Sequence, residues 1–258
     1  MDPVLACHNI SKSFRLNGRP IPVLEGVSLT VEPGQAVGLV GPSGCGKSTL
    51  LALLAGFYPP ETGTIRKQGR LSLMLQRDLL LPHRTVTDNA ALPAEVRCPA
   101  RLAQTRRQVR ELLPRFGLEG FGDSYPQQLS GGMRQRAALL RTVIDSRLDS
   151  AVAAKPAPTQ NSCWLLDEPF GKLDALTKED LQLWLDGLRR EYRAALLLVT
   201  HDISEALLLC DRIYVLTSRP GRIAGTLLTE AGREQEQKQE IRKLLGDSLS
   251  LKEKPPFA

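Results

Sequence analysis

The sequence has no apolar run long enough to cross a membrane as a helix. Its longest apolar stretch, residues 50–57, is far shorter than the ~20 residues that a bilayer requires. The first ten residues open with an acid and lack the basic segment and apolar stretch of a signal peptide. These two absences predict a protein that is made and kept in the cytoplasm.

The five cysteines show no pairing pattern. They are Cys7, Cys45, Cys98, Cys163 and Cys210, and no two of them have the CxxC spacing of a zinc ribbon. Their scatter excludes a disulfide framework and fits a reducing compartment.

The charge balance is mildly basic and assigns no partner. The chain has 34 Lys and Arg residues against 28 Asp and Glu residues, a formal net charge of +6, and a pI near 9.2. Such a balance can attract nucleic acid or an anionic membrane surface. Because acids and bases are interleaved along most of the chain, a solvated surface is the favoured interpretation.

The chain has no internal repeat, and its first half has the pattern of an α/β nucleotide-binding core. Residues 21–40 alternate, turn, and end in an apolar run at 36–40. A Gly-rich loop follows, and then the apolar, helix-like stretch 49–57. Strand, Gly-rich loop and helix in that order open a nucleotide-binding fold.

The second half predicts a helical insert, a return to the core, and a tail. Arg-rich helical segments broken by Pro and Gly occupy residues 92–119, and a helix is expected at 134–147. The core resumes with the β-rich runs WLLDEP and LLLVTHD, after a Pro- and Ala-rich loop at 151–162. The charged tail has Ile241, Leu244 and Leu245 at helical spacing, which predicts a terminal helix packed on the core.

The Gly-rich loop matches the G-x-x-x-x-G-K-[ST] phosphate-loop pattern at every fixed position. The matching residues are Gly41, Pro42, Ser43, Gly44, Cys45, Gly46, Lys47 and Ser48. The glycines let backbone N–H groups point at phosphate oxygens, Lys47 would reach the β- and γ-phosphates, and Ser48 would bind Mg²⁺. A Gly-rich turn that arose by chance would not need glycine, lysine and serine at all the fixed positions of this pattern. Cys45 is interpreted as a tolerated small side chain rather than a catalyst.

Two later runs end in groups suited to phosphate chemistry. WLLDEP ends in Asp167, a predicted Mg²⁺ ligand, and Glu168, a predicted general base. The run 195–200 ends at His201, for which a γ-phosphate contact is favoured over a purely structural role.

A second helix start also suits an anion. Ser130 is a good N-cap, and Gly131 and Gly132 expose backbone N–H groups. One ATP already has a phosphate loop on its own chain, so a second such site makes sense if two chains cap each other's nucleotide. A simple capped helix remains the alternative.

Taken together, these motifs resemble those of ATP-binding cassette (ABC) ATPases. GPSGCGKST, LSGGMRQR, LLDEP, Leu173-Asp174 and VTHD match the Walker A, signature, Walker B, D-loop and switch-histidine motifs in the family's order, over about residues 4–223. The resemblance adds Phe14 as the aromatic that stacks on adenine, Gln76 as the Q-loop glutamine that contacts Mg²⁺ and the attacking water, and Thr49 and Asp174 as nucleotide-binding residues.

The resemblance implies an α/β P-loop ABC ATPase core with an antiparallel β subdomain and a helical subdomain. The ATPase domain would span 1–230 with the helical subdomain at about 77–140, and a helical tail would occupy 231–258. The cofactors would be ATP and Mg²⁺. Two copies would close on two ATP molecules, with catalytic roles for Lys47, Gln76, Glu168 and His201.

A finer resemblance is to importer subunits for nitrate, sulfonates and taurine. It rests on LLLPHRTVTDNAALP, DEPFGKLDALT and TSRPGRI. It implies multispanning permease subunits, an extracytoplasmic solute-binding protein, and a peripheral location at the cytoplasmic face of the cell (inner) membrane. His83 stands where this subgroup usually has Trp, Lys172 stands where it has Ala, and residues 148–162 are longer than its usual connection.

The alternative is a soluble ABC-type ATPase that acts on nucleic acid or on the ribosome. Against it, the chain has no long heptad segment, no second cassette and no added DNA-binding module. No nucleic-acid partner is therefore predicted. A nucleotide kinase is a weaker alternative, because LSGGMRQR would then have no purpose.

Overall fold

A computed structural model describes residues 2–148, 162–171 and 175–250, with the backbone alone for 175–177 and 247–250. The chain divides into two compact units, one of residues 1–69 with 195–258 and the other of residues 70–194. Among the described residues, no helix has both the length and the apolar character that crossing a bilayer requires.

The described elements follow one another in this order: β1 (Leu5–Leu16), β2 (Arg19–Val31), β3 (Ala36–Val40), α1 (Lys47–Ala55), β4 (Thr62–Lys67), β5 (Arg70–Met74), α2 (Val86–Arg97), α3 (Leu102–Leu112), α4 (Gly131–Arg147), β6 (Ser162–Asp167), α5 (Ala175–Tyr192), β7 (Ala195–Thr200), α6 (Ile203–Leu209), β8 (Arg212–Leu216), β9 (Ile223–Leu228) and α7 (Glu234–Ser250).

The first unit contains an antiparallel sheet of strand order β2-β1-β4. A two-residue turn joins β1 to β2, and both of its residues, Asn17 and Gly18, have positive φ. A two-residue turn with positive φ at both positions matches the right-handed twist of adjacent strands. The sheet is the antiparallel β portion predicted near the N-terminus.

The first unit also contains the strands β7, β3, β8 and β9, neighbours in that order. β7, β3 and β8 are parallel, and β9 is antiparallel to β8. Every residue of β3 and β7 is buried, which explains why both strands are continuous apolar runs rather than alternating ones. α6 packs against β3 and β7, and α7 packs against α6, β8 and β9.

The second unit combines the parallel pair β5 and β6 with helices α2 to α5. α4 packs against α2 and β5. Asp145 of α4 accepts hydrogen bonds from Arg70, at 2.6 Å, and from Ser72, at 2.7 Å. Since both donors lie on β5, these bonds tie α4 to the sheet.

Most of the predicted elements are confirmed, with corrections at three boundaries. The strand, loop and helix at 36–55 are present, and α7 is the expected tail helix, with Ile241 fully buried. α4 begins at Gly131, directly after the predicted N-cap Ser130 and before the expected helical segment at 134–147. Ser162 belongs to β6 rather than to the preceding loop, and residues 149–161 lie outside the described part.

The helical insert also begins earlier than predicted, and one proline does not break it. α2 runs from Val86 to Arg97 and contains Pro93. Thr85 caps its start by accepting from Asp88 N at 3.1 Å, and the alanines on its inner face are fully buried. This cap and the buried apolar surface outweigh the loss of one helical hydrogen bond at the proline.

Candidate functional site

The Gly-rich loop of the first unit joins a buried strand to an uncapped helix. β3 ends at Val40, and α1 begins at Lys47. Gly46, just before the helix, has a φ of +110°, and a Cβ there would lie 2.8 Å from Leu24 Cδ2. Glycine is therefore required at this position. No side chain of the described residues caps the start of α1, so its first N–H groups are left for an anion such as phosphate.

Lys47 is held against the loop from which it projects. Its side chain is 6% exposed, and its Nζ donates to the carbonyl oxygens of Gly41, at 2.7 Å, and Pro42, at 3.0 Å. Phosphate oxygens can replace these acceptors. The neighbouring Ser48 is exposed, and its hydroxyl makes no hydrogen bond within the described part of the chain. It is thus available as a metal ligand.

Cys45 contributes to the loop through its backbone N–H, whereas its thiol is buried. Its side chain is 1% exposed, and its N–H donates to Pro42 O at 3.3 Å. Burial raises the pKa of the Cys45 thiol, and the charge of Lys47 offsets part of that rise. A protonated, buried thiol is a poor nucleophile.

His201 and the phosphate loop leave the same edge of the first unit's parallel strands. β3 and β7 are neighbours, with Val40 opposite Thr200. The loop begins directly after Val40, and His201 directly after Thr200. His201 is exposed. The carboxyl ends of parallel strands are where α/β sheets bind ligands, so this edge is the candidate phosphate site.

A hydrogen-bond network fixes the turn that presents His201. Thr200 Oγ1 donates to the buried carboxylate of Glu205, and it accepts from Asp202 N at 3.0 Å. Asp202 then caps α6 by accepting from Ser204 N at 2.8 Å. Both residues that flank His201 are therefore held in place.

Phe14 of β1 forms an exposed aromatic pair with Tyr58, which lies between α1 and β4. Its ring is 41% exposed and meets Tyr58 edge to face, with centroids 6.2 Å apart and ring planes at 87°. Lys12 Nζ lies 5.8 Å from the centroid of Phe14. An exposed flat ring flanked by a cation suits a planar base with a phosphate chain.

In the second unit, the predicted glutamine and the predicted base are hydrogen-bonded. β5 and β6 are parallel, with Met74 opposite Leu166. Gln76 follows β5 by two residues, and its Nε2 donates to Oε2 of Glu168, which follows β6, at 2.7 Å. Asp167, the last residue of β6, is 4% exposed.

The backbone of Glu168 is strained. Its φ is +48°, in the left-handed region that non-glycine residues rarely occupy. Gly171 N donates to Glu168 O at 3.3 Å. Strained backbone of this kind clusters at functional sites, where it aims a side chain.

The predicted second anion site has the expected helix cap. Ser130 Oγ accepts from Met133 N at 3.2 Å, and α4 begins at Gly131. Ser130 and Gly131 are exposed, and Gly132 is half-buried. Arg134 Nη1 donates to Leu129 O at 2.8 Å, which fixes the approach to the helix.

The remaining predicted residues are positioned as follows. Ser43 and Gly44 are exposed in the phosphate loop, and Thr49 is half-buried in the first turn of α1. Asp174 lies outside the described residues, as do Lys172 and most of the predicted insertion.

Three contributors were not predicted from the sequence. Tyr58 pairs with Phe14, and Thr200 with Glu205 orders the turn at His201. The sequence does indicate Glu205, because it is the one charged residue in the helix ISEALLL. The sequence gives less indication of Tyr58, because no local pattern brings it next to residue 14.

A buried parallel strand, a Gly-rich loop and an uncapped helix that carries a lysine define a phosphate-loop nucleotide-binding protein. Residues 24–148 match the family described as ABC transporter. The chain belongs to the ABC transporter family, as an ATP-binding, ATP-hydrolysing member.

Two relatives and one solved structure illustrate this membership. The chain is 38% identical to the bicarbonate transport ATP-binding protein CmpD of Synechococcus elongatus, over 88% of the chain and 80% of the relative. It is 41% identical to an aliphatic sulfonates import ATP-binding protein of Pseudomonas syringae, over 80% and 78%. A dimeric bacterial ABC transporter cassette superposes with a TM-score of 0.74 at 26% identity, covering 88% of this chain and 99% of that one.

Proposed function

We propose that the chain is the ATP-hydrolysing subunit of a membrane importer for a small anionic solute. The observation that carries the ATPase half is the shared strand edge from which the Lys47 loop and His201 emerge. The importer half rests on relatives whose names describe bicarbonate transport and sulfonate import.

The roles of the first unit in binding ATP follow from its chemistry. The Phe14 ring stacks on the adenine, and Tyr58 supports that ring. The phosphate loop and the N-terminus of α1 bind the phosphates, and the Lys47 ammonium exchanges its carbonyl acceptors for phosphate oxygens. His201, held by the ordered turn at Thr200, contacts the γ-phosphate.

The chemistry of the ligands proposed from the family resemblance suits a Mg²⁺ ion that is held mainly by the nucleotide. No group of three or more His, Cys, Asp or Glu side chains in the described residues could hold a metal. The proposed ligands Ser48, Gln76 and Asp167 offer a hydroxyl, an amide oxygen and one carboxylate, the hard oxygen donors that Mg²⁺ prefers beside phosphates. When bound, the ion would neutralise charge on the phosphates.

Glu168 is the proposed general base. Water attacks the γ-phosphorus, its proton passes to Glu168, and ADP leaves with the bridging oxygen. Gln76 Nε2 donates to the Glu168 carboxylate, and the φ of +48° at residue 168 sets the direction in which the side chain leaves the backbone. Both features reduce the number of orientations open to the base.

A second copy of the chain is the proposed source of the remaining contacts. Ser130, Gly131 and Gly132 expose a helix start that is suited to an anion, and a related cassette is described as dimeric. Each copy would cap the nucleotide of the other, with Asp174 nearby. ATP then acts as a ligand that favours the closed dimer.

The proposed partners are a multispanning permease and an extracytoplasmic solute-binding protein. This assignment places the chain at the cytoplasmic face of the membrane. A soluble ATPase that acts on nucleic acid or the ribosome is not favoured, since the relatives reported above are named for transport or import.

Two measurements test the two halves separately. Lys47→Ala should abolish ATP hydrolysis by the purified chain, whereas Lys243→Ala, an exposed lysine on α7, should leave it unchanged. If Lys47→Ala hydrolysed ATP as fast as the wild type and Lys243→Ala do, the assigned phosphate site would be refuted.

The second measurement is a mild-detergent pull-down of the tagged chain from native membranes, read by mass spectrometry. Recovery of a permease supports the importer, and uptake of labelled bicarbonate, nitrate or taurine by the reconstituted complex then tests the solute class. Recovery of nucleic acid or ribosomes alone would overturn the importer while leaving the ATPase intact.

A further inference from the structure

A cavity of about 360 Å³ lies within the second unit, and the ATPase function described above does not use it. The turn at 114–117, α4 and α5 line it. Its volume falls within the range of small-molecule sites, roughly 300–1,000 Å³. The chemistry of its lining therefore indicates which ligand it could take.

An arginine without a full set of partners lines this cavity. Arg136 Nε is buried and has no hydrogen-bond partner in the described part of the chain. A buried donor without an acceptor costs free energy, and more so when the group is charged. Nε itself is sealed from the cavity, but the terminal nitrogens of Arg136 also have no hydrogen bond or ion pair among the described residues, so an anion in the cavity would supply their acceptor. Guanidinium groups bind carboxylates and other oxyanions through paired N–H bonds.

The backbone is adapted to the position of this guanidinium. Gly117 has a φ of +60°, and a Cβ added there would overlap Arg136 Nη1. Glycine at position 117 therefore leaves the space that Arg136 fills. This arrangement links the turn at 114–117 to the cation on α4.

The rest of the lining contains apolar side chains and one acid. The rings of Phe116 and Trp184 meet edge to face with centroids 4.6 Å apart, and Leu181 completes the apolar part. The exposed Asp180 adds a negative charge. Arg115 also lines the cavity.

The charge of Arg115 is already compensated. Its two terminal nitrogens donate to the carboxylate of Glu191 at 2.6 and 3.1 Å. Arg136 is therefore the cation that is available to a ligand, and Asp180 opposes a second negative charge.

We propose that this cavity binds a small amphipathic monoanion, with its carboxylate or similar oxyanion on Arg136 and its apolar body against Phe116, Leu181 and Trp184. A cationic ligand would offer Arg136 no hydrogen-bond acceptor. A dianionic ligand would have its second negative charge repelled by Asp180. This inference is independent of the transported solute and of the partners proposed above.

The test is calorimetric titration of the full-length chain with benzoate as the probe. Saturable one-to-one binding is expected, and benzylammonium, of the same size and opposite charge, should not bind. Arg136→Gln should weaken benzoate binding at least tenfold. Arg107→Gln, at an exposed arginine on α3, is the matched control and should bind benzoate as the wild type does.

Asp180→Asn keeps the test decisive if Arg136→Gln fails to fold, because residue 180 is on the surface. This variant should bind benzoate several-fold more tightly and should gain measurable affinity for the dianion phthalate. No saturable binding of benzoate to the wild type, equal binding of benzylammonium, or an Asp180→Asn variant with unchanged affinities would overturn the proposal.

Discussion

Gln76 Nε2 lies 2.7 Å from Glu168 Oε2, so the glutamine after β5 holds the carboxylate after β6. The two residues are 92 positions apart in the sequence, and the parallel pairing of their strands brings them together. The contact joins the two groups that the family resemblance assigns to the attacking water. It makes the proposed base the first target for mutation.

Glu168→Gln should keep ATP binding and lose turnover. The amide has the shape of the carboxylate but cannot accept the proton of the attacking water, so kcat should fall by about 10²–10⁴. ATP hydrolysis and binding of a fluorescent nucleotide would be measured on the same preparation. Glu119→Gln, at an exposed acid of the second unit, should behave as wild type. Near-normal turnover in Glu168→Gln would remove the base assignment.

The strained backbone at residue 168 predicts that glycine is more stable there than alanine. Both Glu168→Ala and Glu168→Gly lack the carboxylate and its bond to Gln76, so the two variants differ only by a Cβ. Because φ is +48°, that Cβ should cost about 1 kcal/mol. The urea midpoint of Glu168→Gly should therefore exceed that of Glu168→Ala. At an unstrained position glycine would lower the midpoint, because it adds about 0.4–1 kcal/mol of conformational entropy to the unfolded chain. A lower midpoint in Glu168→Gly than in Glu168→Ala would therefore show that the backbone carries no strain.

The sequence predicts the local parts of the site well, because each is a contiguous pattern. The strand, glycines and lysine at 36–47 specify the phosphate loop by themselves, and Ser130 specifies a helix start. Pro93 shows the limit of local rules, since tertiary burial of α2 overrides a helix breaker. The strained φ of Glu168 likewise has no signal in the residue type.

Contacts between distant segments could not be predicted in the same way. Nothing in the local pattern near Phe14 indicates that Tyr58 packs against it, because strand pairing and the path of the chain after α1 decide that contact. The cavity at Arg136 depends similarly on three segments that meet only in the fold. Sequence patterns name the candidate groups, and tertiary structure decides which of them touch.

Thr200 should act on hydrolysis through the turn at His201. Thr200→Val keeps the shape of the side chain and removes the hydroxyl that bonds to Glu205 and to Asp202 N. We expect a loss of about 1–3 kcal/mol in the free energy of unfolding, because a buried carboxylate loses a donor. The kcat for ATP should fall with little change in KM.

Thr226→Val, at an exposed threonine on β9, is the matched control and should change neither quantity. Urea unfolding and steady-state ATPase assays check both expectations. A Thr200→Val variant that is destabilised but hydrolyses ATP at the normal rate when folded would show that the network is purely structural.

The alkaline limit of stability should depend on Cys7. Burial raises the pKa of this thiol from 9.0 to about 11, so the folded state keeps the proton over a range in which the unfolded chain releases it. Stability contributed by this group is complete below pH 9 and is lost as the pH rises towards 11. At 1.36 kcal/mol per pKa unit, the loss is about 3 kcal/mol.

Cys7→Ala should therefore flatten the decline of the free energy of unfolding between pH 9 and 11, whatever it does to stability at neutral pH. The measurement is urea unfolding at a series of pH values. Cys98→Ala, at a half-buried cysteine on the C-terminal side of α2, should keep the wild-type slope. Cys45 also has a raised pKa, so some alkaline decline should persist in Cys7→Ala. An unchanged slope in that variant would mean that the Cys7 thiol titrates alike in the folded and unfolded chain.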